Sequence, residues 1–340
     1  MILASSARRV ASRVTSAYGE GMERLDVVVV GGGAAGLTGA LTLARARRSV
    51  LVVDAGEQRN RPAEGVHGFL TRDGLAPDEL VRLGRADVER YGGTVVDGRV
   101  TALAGREGDF TVTLQDGRTF AARRLLVATG LVDELPEIPG LRELWGTDVL
   151  HCPYCHGWEV RDEPLAVLAT SPMALHVTQL FRQLSDDVTF LRHTAPAPSA
   201  EEAEALAARD VAVVEGEVVG LETEDGRLRG ARLASGEVVP CRRLVVGPRF
   251  VARAGLLAGV GLTATEHPQG TGERIEADVT GRTAVPGVWV AGNVSEIMAW
   301  VVAAASAGLM SGAAINNDLV AEDTRVAVER AAVARTAAPA

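Results

Sequence analysis

The sequence predicts an α/β protein with two Rossmann-like domains, the second inserted into a discontinuous first one. Two apolar strand–helix–strand patterns predict this fold, one over residues 25–53 and the other over residues 165–191. Their β-branched runs are typical of parallel strands that are buried on both faces. A late apolar strand over residues 287–293, followed by a helix pattern over residues 301–319 that begins with small residues, is interpreted as a return of the chain to the first domain.

A segment that contains two prolines marks the predicted start of the inserted domain. Residues 135–140 read L-P-E-I-P-G, and neither proline is compatible with a helix interior. The Ala- and Arg-rich C-terminus is predicted to fray. The predicted division is an N-terminal tail at 1–21, a first domain at 22–134 and 250–322, an inserted domain at 135–249, and a C-terminal tail at 323–340.

Composition and charge argue against several classes of function. The 340 residues, 47% hydrophobic and 23% charged, suit a globular enzyme of about two domains. A formal net charge of −9 argues against a nucleic acid or an anionic membrane surface as a partner. No stretch reaches the roughly 18 apolar residues of a membrane span. The chain contains no lysine, which excludes a Schiff-base lysine and a P-loop lysine.

A glycine-rich turn follows the first predicted strand. Residues 31–36 read G-G-G-A-A-G, a match to G-x-G-x-x-G between a strand and a helix, and an acid ends the next strand. Such glycines let the backbone approach a pyrophosphate at the helix N-terminus, and the acid accepts hydrogen bonds from ribose hydroxyls. The alternative is a glycine-rich turn without a ligand. The predicted dinucleotide-binding residues are Gly31, Gly33, Ala34, Ala35, Gly36 and Asp54.

Two cysteines lie three positions apart in the segment His151-Cys152-Pro-Tyr-Cys155-His156. This spacing allows a small disulfide ring, and a helix N-terminus or a nearby imidazolium can lower a thiol pKa enough to give thiolate near neutral pH. Half of a four-cysteine zinc site is the alternative, but Cys241 is the one remaining cysteine of the sequence. We therefore expect redox chemistry and no metal. Three cysteines are too few for an extracellular disulfide framework, which favours a cytoplasmic location.

The order of these motifs resembles that of the low-molecular-weight thioredoxin reductases over about residues 22–322. The shared features are the glycine fingerprint, an A-T-G strand end, a C-x-x-C that opens the inserted domain, and a returning A-G-N strand. The resemblance implies FAD in the first domain, an NAD(P)-type inserted domain and a homodimer. It also implies that Cys155 lies beside the flavin and Cys152 exchanges with substrate. Further FAD-binding residues implied by the resemblance are Ala128, Thr129, Gly130, Gly292, Asn293 and Val301.

The chain departs from these reductases where they bind NADPH. Their G-x-G-x-x-A loop is replaced by A-T-S-P-M-A at residues 169–174, and their basic motif for the 2′-phosphate by L-R-H-T-A-P at residues 191–196. Side chains at the glycine positions would crowd a pyrophosphate, and Pro172 lacks an N–H donor. The sequence therefore disfavours NADPH at the usual position.

Two further departures point to one branch of the family. His156 stands where reductases have an aspartate, and Asn293 replaces the aspartate of A-G-D, although an amide can still bond the ribityl chain. The string C-P-Y-C-H-G-W-E resembles the FAD-dependent dithiol oxidases that close disulfides in natural products such as gliotoxin, holomycin and romidepsin. This resemblance implies a small-molecule dithiol as substrate and O2 as oxidant with H2O2 as product. His151 and His156 flank the cysteines, and because histidine titrates where a thiol loses its proton we favour His156 as the base; the alternative is that either histidine caps a helix or packs in the core.

Two other functions stay open at this point. The first is a reductase supplied with electrons by NADPH or by a protein donor such as ferredoxin. The second is a non-catalytic flavoprotein that senses redox state, which the intact C-x-x-C beside a full fingerprint argues against.

A few residues carry weaker expectations. Trp158, Met298 and Trp300 are candidates for an apolar substrate pocket, with a place in the core as the alternative. His67 lies in the glycine-flanked segment G-V-H-G, which could contact flavin or substrate, although an ordinary loop is the favoured interpretation. Cys241 is expected to be a buried, inert thiol.

Overall fold

The computed structural model describes residues 24–171 and 173–337, so the predicted tail at 1–21 lies outside the described residues. The first part of the described chain forms seven strands and two helices. In order, these are β1 (Leu25–Val30), α1 (Ala34–Arg45), β2 (Val50–Asp54), α2 (Pro77–Arg90), β3 (Thr94–Asp97), β4 (Val100–Arg106), β5 (Asp109–Leu114), β6 (Thr119–Val127) and β7 (Leu131–Glu134).

The middle of the chain forms a second group of elements. In order, these are β8 (Val149–Leu150), α3 (Pro153–His156), β9 (Leu165–Leu168), α4 (Ala174–Phe181), β10 (Val188–Leu191), α5 (Ala200–Ala207), β11 (Ala212–Val214), β12 (Val218–Glu224), β13 (Arg227–Leu233), β14 (Val238–Pro240) and β15 (Arg243–Val246). The last part contains β16 (Arg249–Ala252), β17 (Thr265–Glu266), β18 (Gly272–Arg274), β19 (Val288–Val290) and α6 (Val301–Ala337), with short 3-10 turns at Gly255–Val260 and Gly292–Val294.

The first sheet combines strands from the beginning and the end of the described chain. Strands β3, β2, β1 and β6 are parallel neighbours in that order, and β19 joins them by pairing with β6. Besides β1, strand β6 has two partners on its other edge: its first half pairs antiparallel with β5 and its second half pairs parallel with β19. A small sheet in the order β17-β18-β16-β7 also joins early and late segments. The late strand therefore completes the first sheet.

Alternation along the strands buries both faces of this sheet. In β1, Val28 and Val30 pack on the side of the β4–β5 hairpin, whereas Val27 and Val29 pack on the side of α1 and α6. Successive side chains of a strand point to opposite faces, so the four consecutive valines Val27–Val30 fit between two apolar layers. This three-layer arrangement fixes the carboxyl end of β1, where the glycine turn begins.

Helices α1 and α6 pack with their backbones almost in contact. A Cβ atom on Gly308 would overlap the Ala35 carbonyl oxygen, and one on Gly312 would lie 2.8 Å from the Gly39 carbonyl oxygen. Glycine is required at such a close approach. The helix pattern was predicted to end at Leu319, yet α6 continues to Ala337, through residue 323 where a tail was predicted to begin.

The inserted sheet is parallel throughout, in the order β11-β10-β9-β15-β8. The edge strand β8 leads directly to the cysteines, and the buried carboxylate of Asp148 precedes it. Asp148 accepts hydrogen bonds from Arg227 Nε and from the backbone N–H of Leu228, both at 2.9 Å, and pairs with Arg243. Burial raises the pKa of Asp148, but these bonds and charges outweigh burial and lower it below its usual range.

The predicted fold class, α/β with two Rossmann-like units, is confirmed by these sheets. Across the two described ranges, no helix is both long and apolar enough to cross a membrane.

Candidate functional site

A cavity of about 590 Å³ lies between the carboxyl ends of the first parallel sheet and the segment that carries the cysteines. This volume is in the range of small-molecule and cofactor sites. Of the residues predicted to be catalytic or to bind the cofactor, all except Gly36 line this cavity. They are Gly31, Gly33, Ala34, Ala35, Asp54, Ala128, Thr129, Gly130, Cys152, Cys155, His156, Gly292, Asn293 and Val301.

The glycine turn has the shape of a phosphate cradle. Gly31 has a φ of 106°, and a Cβ atom there would overlap the Ala128 carbonyl oxygen. Gly33 is the N-cap of α1, and within the described chain this helix has neither a side-chain cap nor an acidic residue in its first turn. Gly36 faces inward, where a Cβ atom would overlap the Gly31 carbonyl oxygen. The turn therefore fits a pyrophosphate, with Gly36 serving strand–helix packing.

Asp54 ends β2 and is only 5% exposed. Its Oδ1 accepts hydrogen bonds from the backbone N–H groups of Gly32 and Gly56, both at 3.2 Å, and its Oδ2 accepts one from Arg85 at 2.6 Å. These three donors fix the orientation of the carboxylate at the cavity wall. A carboxylate held at this place fits the ribose of an adenosine. Arg85, on α2, was not predicted from the sequence.

A valine at Gly33 tests whether this turn holds a dinucleotide. No other atom lies within 4 Å of a Cβ built on Gly33, so the fold has room for the side chain, which would take the space a pyrophosphate needs. We expect Gly33→Val to raise the Kd for FAD at least about tenfold, or roughly 1.4 kcal/mol. Flavin fluorescence during titration of apoprotein measures this.

Gly220→Val is the matched control, because Gly220 lies in β12 with its nearest such contact at 4.0 Å and outside the cavity. Full FAD affinity in Gly33→Val would show that the site is misplaced.

Two side chains that were predicted to bind the cofactor donate hydrogen bonds to backbone carbonyl oxygens of the protein. Thr129 Oγ1 donates to the Arg253 carbonyl oxygen at 2.8 Å. Asn293 Nδ2 donates to the carbonyl oxygens of Glu296 and Ala299, at 3.0 and 2.9 Å. Since the amide nitrogen of Asn293 orders the loop before α6, a contact to a ribityl chain would use its Oδ1.

Cys152 and Cys155 form a disulfide, with their Cα atoms 5.3 Å apart. Cys152 is the N-cap of α3, and its carbonyl oxygen accepts hydrogen bonds from the N–H groups of Cys155 and His156 at 3.3 and 3.2 Å. Cys241 is buried in a separate core cluster, where burial raises its pKa to about 12. The geometry therefore supports the redox interpretation over half of a zinc site.

His156 is positioned to accept a proton. Both of its ring nitrogens are buried, and neither has a hydrogen-bond partner among the described residues. Burial lowers the pKa of His156, an effect that Glu159 opposes and His67 reinforces. A neutral imidazole that lines the same cavity as the disulfide is suited to general-base chemistry.

His151 has a different environment from His156. Burial, the charge of Arg59 and that of His156 lower the pKa of His151 to about 3. Its ring stacks on Trp145 at 5.6 Å between centroids, and its Nε2 lies 3.4 Å from an Arg59 nitrogen. A group with so low a pKa is a poor base at neutral pH, so the geometry favours His156.

Exposed apolar side chains surround the mouth of the cavity. Met298 is 57% exposed and Trp300 51%, and both line the cavity, so the alternative of core packing is wrong for them. Tyr154, not predicted, is 62% exposed and lies 5.4 Å from Trp300 between ring centroids. Trp158 is also exposed but does not line the cavity, and Arg161 covers its ring.

The loop between β2 and α2 supplies Arg59, which the sequence did not indicate, and His67, for which a cavity contact was the less favoured alternative. Arg59 makes a two-point ion pair with Asp133 and lines the cavity. His67 was interpreted as an ordinary loop residue, but it lines the cavity and its Nε2 lies 3.4 Å from Glu159 Oε1. The one signal available was the polar composition of residues 57–62 directly after Asp54.

Known proteins match this chain over most of its length. Residues 25–308 match the pyridine nucleotide-disulphide oxidoreductase family. The crystal structure of HlmI is 48% identical, with a TM-score of 0.84, and the match covers 93% of this chain and 98% of that one. The oxidoreductase from Agrobacterium tumefaciens is 37% identical, with a TM-score of 0.82 and coverage of 88% and 99%.

Curated fungal relatives extend the comparison. Thioredoxin reductase sirT of Leptosphaeria maculans is 28% identical over 88% of this chain and 95% of its own length. Thioredoxin reductase tcpT of Claviceps purpurea is 36% identical over 174 residues, so the chain spans about half the length of this relative. Members of the pyridine nucleotide-disulphide oxidoreductase family typically bind FAD. The fold, the disulfide and these matches show that the chain is an oxidoreductase of this family and, within it, one of the thioredoxin reductase-like proteins.

Proposed function

We propose that this thiol/disulfide oxidoreductase uses FAD to oxidise a small-molecule dithiol to a disulfide, with O2 as the final electron acceptor and H2O2 as the product. The observation that carries the proposal is the single cavity lined by the Cys152–Cys155 disulfide, by His156 and by the glycine turn. A dithiol that reaches the disulfide thus also reaches a base and the cofactor cradle.

Different residues of the cavity would hold different parts of FAD. The N-terminus of α1 at Gly33 would hold the pyrophosphate and Asp54 the adenosine ribose, while Gly292 and Val301 would line the flavin end. When bound, FAD accepts two electrons from a dithiol and passes them to O2.

The protein's own residues carry out the exchange in two displacements. His156 takes the proton of a substrate thiol, and the resulting thiolate attacks Cys152 Sγ, so that an S–S bond forms to substrate and the bond to Cys155 breaks. The second substrate thiol displaces Cys152 and leaves as part of the product disulfide. Cys152 and Cys155 then close again, giving up two electrons and two protons, which bound FAD would pass to O2 to form H2O2.

Three side chains at the usual NADPH position of the inserted domain have partners within the protein. Thr170 Oγ1 donates to the Gly247 carbonyl oxygen at 3.0 Å. Arg192 is paired with Glu215, and His193 Nδ1 accepts the Val218 N–H at 3.0 Å. Since neither basic side chain is left for a 2′-phosphate, these contacts favour an oxidase over an NADPH-fed reductase.

Anaerobic mixing tests the direction of electron flow. We expect a dithiol such as dithiothreitol to bleach the flavin more than about 100-fold faster than the same concentration of NADPH. Admission of air should then restore the yellow colour and yield one H2O2 per disulfide. Fast, stoichiometric bleaching by micromolar NADPH would replace the oxidase by a reductase.

The homodimer is proposed on separate grounds. One face of α6 exposes the apolar side chains of Val302, Leu309, Met310 and Val320, and a second copy of the chain would cover them. We expect a dimer mass in analytical ultracentrifugation, and a monomer at micromolar concentration would contradict it.

A further inference from the structure

We propose that Gln58 is a further cofactor-binding residue, whose side-chain carbonyl oxygen accepts a hydrogen bond from one of the two hydroxyls of the adenosine ribose of FAD. The proposal rests on the FAD site of the proposed function. Gln58 lies in the loop after β2, four positions beyond Asp54, and both residues line the cavity. It was not among the site residues predicted from the sequence.

The carboxylate of Asp54 has little capacity left for a ribose. A carboxylate has about four lone-pair sites on its two oxygens. Asp54 Oδ1 accepts two backbone N–H groups at 3.2 Å, and Oδ2 accepts Arg85 Nη2 at 2.6 Å and Gln58 Nε2 at 3.5 Å. The bond from Gln58 is the longest of the four, so it is the one that can give way to a ribose hydroxyl. Asp54 can therefore take one hydroxyl, and the second needs another acceptor.

Arg85 is held where it cannot release Asp54. Its Nη1 donates to Asp97 Oδ1 at 2.7 Å, so its guanidinium joins the carboxylates that end β2 and β3. Hydrogen bonds between charged groups are stronger than those between neutral ones. The site on Asp54 Oδ2 that Arg85 occupies is thus not open to a sugar.

The amide of Gln58 supplies the second acceptor. Its Nε2 faces Asp54, and its Oε1 is buried without a hydrogen-bond partner among the described residues. A buried carbonyl oxygen without a partner is destabilising, so a hydroxyl donor at this place is favoured. An amide oxygen is also uncharged and can lie beside Asp54 without the repulsion that a second carboxylate would bring.

Hydrogen bonds fix the backbone on both sides of this side chain. The Gly56 carbonyl oxygen accepts Arg61 Nη1 at 2.8 Å, and the Gln58 carbonyl oxygen accepts the Arg61 N–H at 3.2 Å. The Glu57 carbonyl oxygen, which lies between them in the chain, accepts Arg253 Nη1 at 3.2 Å. A loop that is ordered before its ligand arrives loses less conformational freedom on binding.

Glu57 is the alternative acceptor, because it also lines the cavity. Its carboxylate pairs with Arg99, and its side chain is half exposed. An exposed carboxylate that has a cation and water as partners gains little from a further hydroxyl. The contacts of the two side chains therefore favour Gln58.

The test titrates apoprotein of the full chain with FAD and with two analogues, which lack the 2′- or the 3′-hydroxyl of the adenosine ribose. Gln58→Met keeps the length of the side chain and removes the amide, and Gln58→Ala is a second variant. We expect each change to raise the Kd for FAD about three- to tenfold, the contribution of one neutral hydrogen bond. One of the two analogues should bind variant and wild type equally, because the missing hydroxyl and the missing oxygen are partners.

Controls and outcomes separate this inference from the proposed function. Gln269→Met makes the same change outside the cavity and should leave all three Kd values unchanged. Equal losses for FAD and both analogues, no loss in either Gln58 variant, or a dependence on the hydroxyl that only Glu57→Gln removes would overturn the proposal. No dithiol or O2 takes part, so a failed oxidase reaction leaves the result standing. Wild-type protein that does not bind FAD would instead remove the proposed function, and this inference with it.

Discussion

Cys155→Ser is expected to lower dithiol turnover by at least roughly 10³-fold, because the displacement at Cys152 then has no disulfide to break. Both cysteines line the cavity, and together with His156 they form a short segment anchored by hydrogen bonds to the Cys152 carbonyl oxygen. Loss of either sulfur removes the exchange step while the glycine turn is left intact. Oxygen consumption with dithiothreitol, in protein of full flavin content, measures the loss.

The spectra of the two serine variants separate the roles of the sulfurs. We expect Cys152→Ser to keep a thiolate at Cys155 beside the flavin and to show a long-wavelength absorbance shoulder, whereas Cys155→Ser should not. The reverse pattern would exchange the two roles. Cys241→Ala is the matched control, since that thiol is buried in another core cluster, and it should keep wild-type turnover and spectrum.

Features that depend on local backbone geometry could be predicted from the sequence. The glycine turn is one, because Gly31 needs a positive φ and Gly36 has no room for a Cβ atom, and both requirements belong to a single strand–turn–helix unit. The disulfide is another, because a spacing of three residues at a helix start brings two cysteines together whatever the rest of the fold does. The sheets follow from continuous β-branched runs.

Features that arise from packing between distant segments could not be predicted. Arg85 meets Asp54 only because α2 packs beside the end of β2, and Arg59 meets Asp133 across 74 positions of the chain. Likewise, α6 extends beyond Leu319, and Asp323 on this extension pairs with Arg48. Ion pairs between distant segments leave no periodic pattern in a sequence.

The exact contacts of single side chains also could not be predicted from the sequence. Asn293, predicted as a cofactor-binding residue, lines the cavity, but its amide nitrogen donates to the loop before α6, which the sequence alone did not indicate. Met298 and Trp300 are apolar and follow a buried strand, so core and cavity mouth were both reasonable. Only the direction in which that loop leaves the sheet decides between them.

His156→Gln is expected to slow flavin reduction by a dithiol about 10²- to 10⁴-fold at pH 7, the range for loss of a general base. The pKa of His156 is lowered by burial, so at neutral pH the ring is uncharged and able to accept the thiol proton. In wild type, the rate should fall as the pH drops through the pKa of His156, because the imidazolium cannot accept a proton. In the variant this limb should disappear, and the rate should rise steadily toward the pKa of the substrate thiol, which then must ionise unaided.

Stopped-flow absorbance between pH 5 and 9 measures both profiles, with His267→Gln as the control. A variant that keeps more than about a third of the wild-type rate at pH 7, together with the low-pH limb, would show that another group removes the proton.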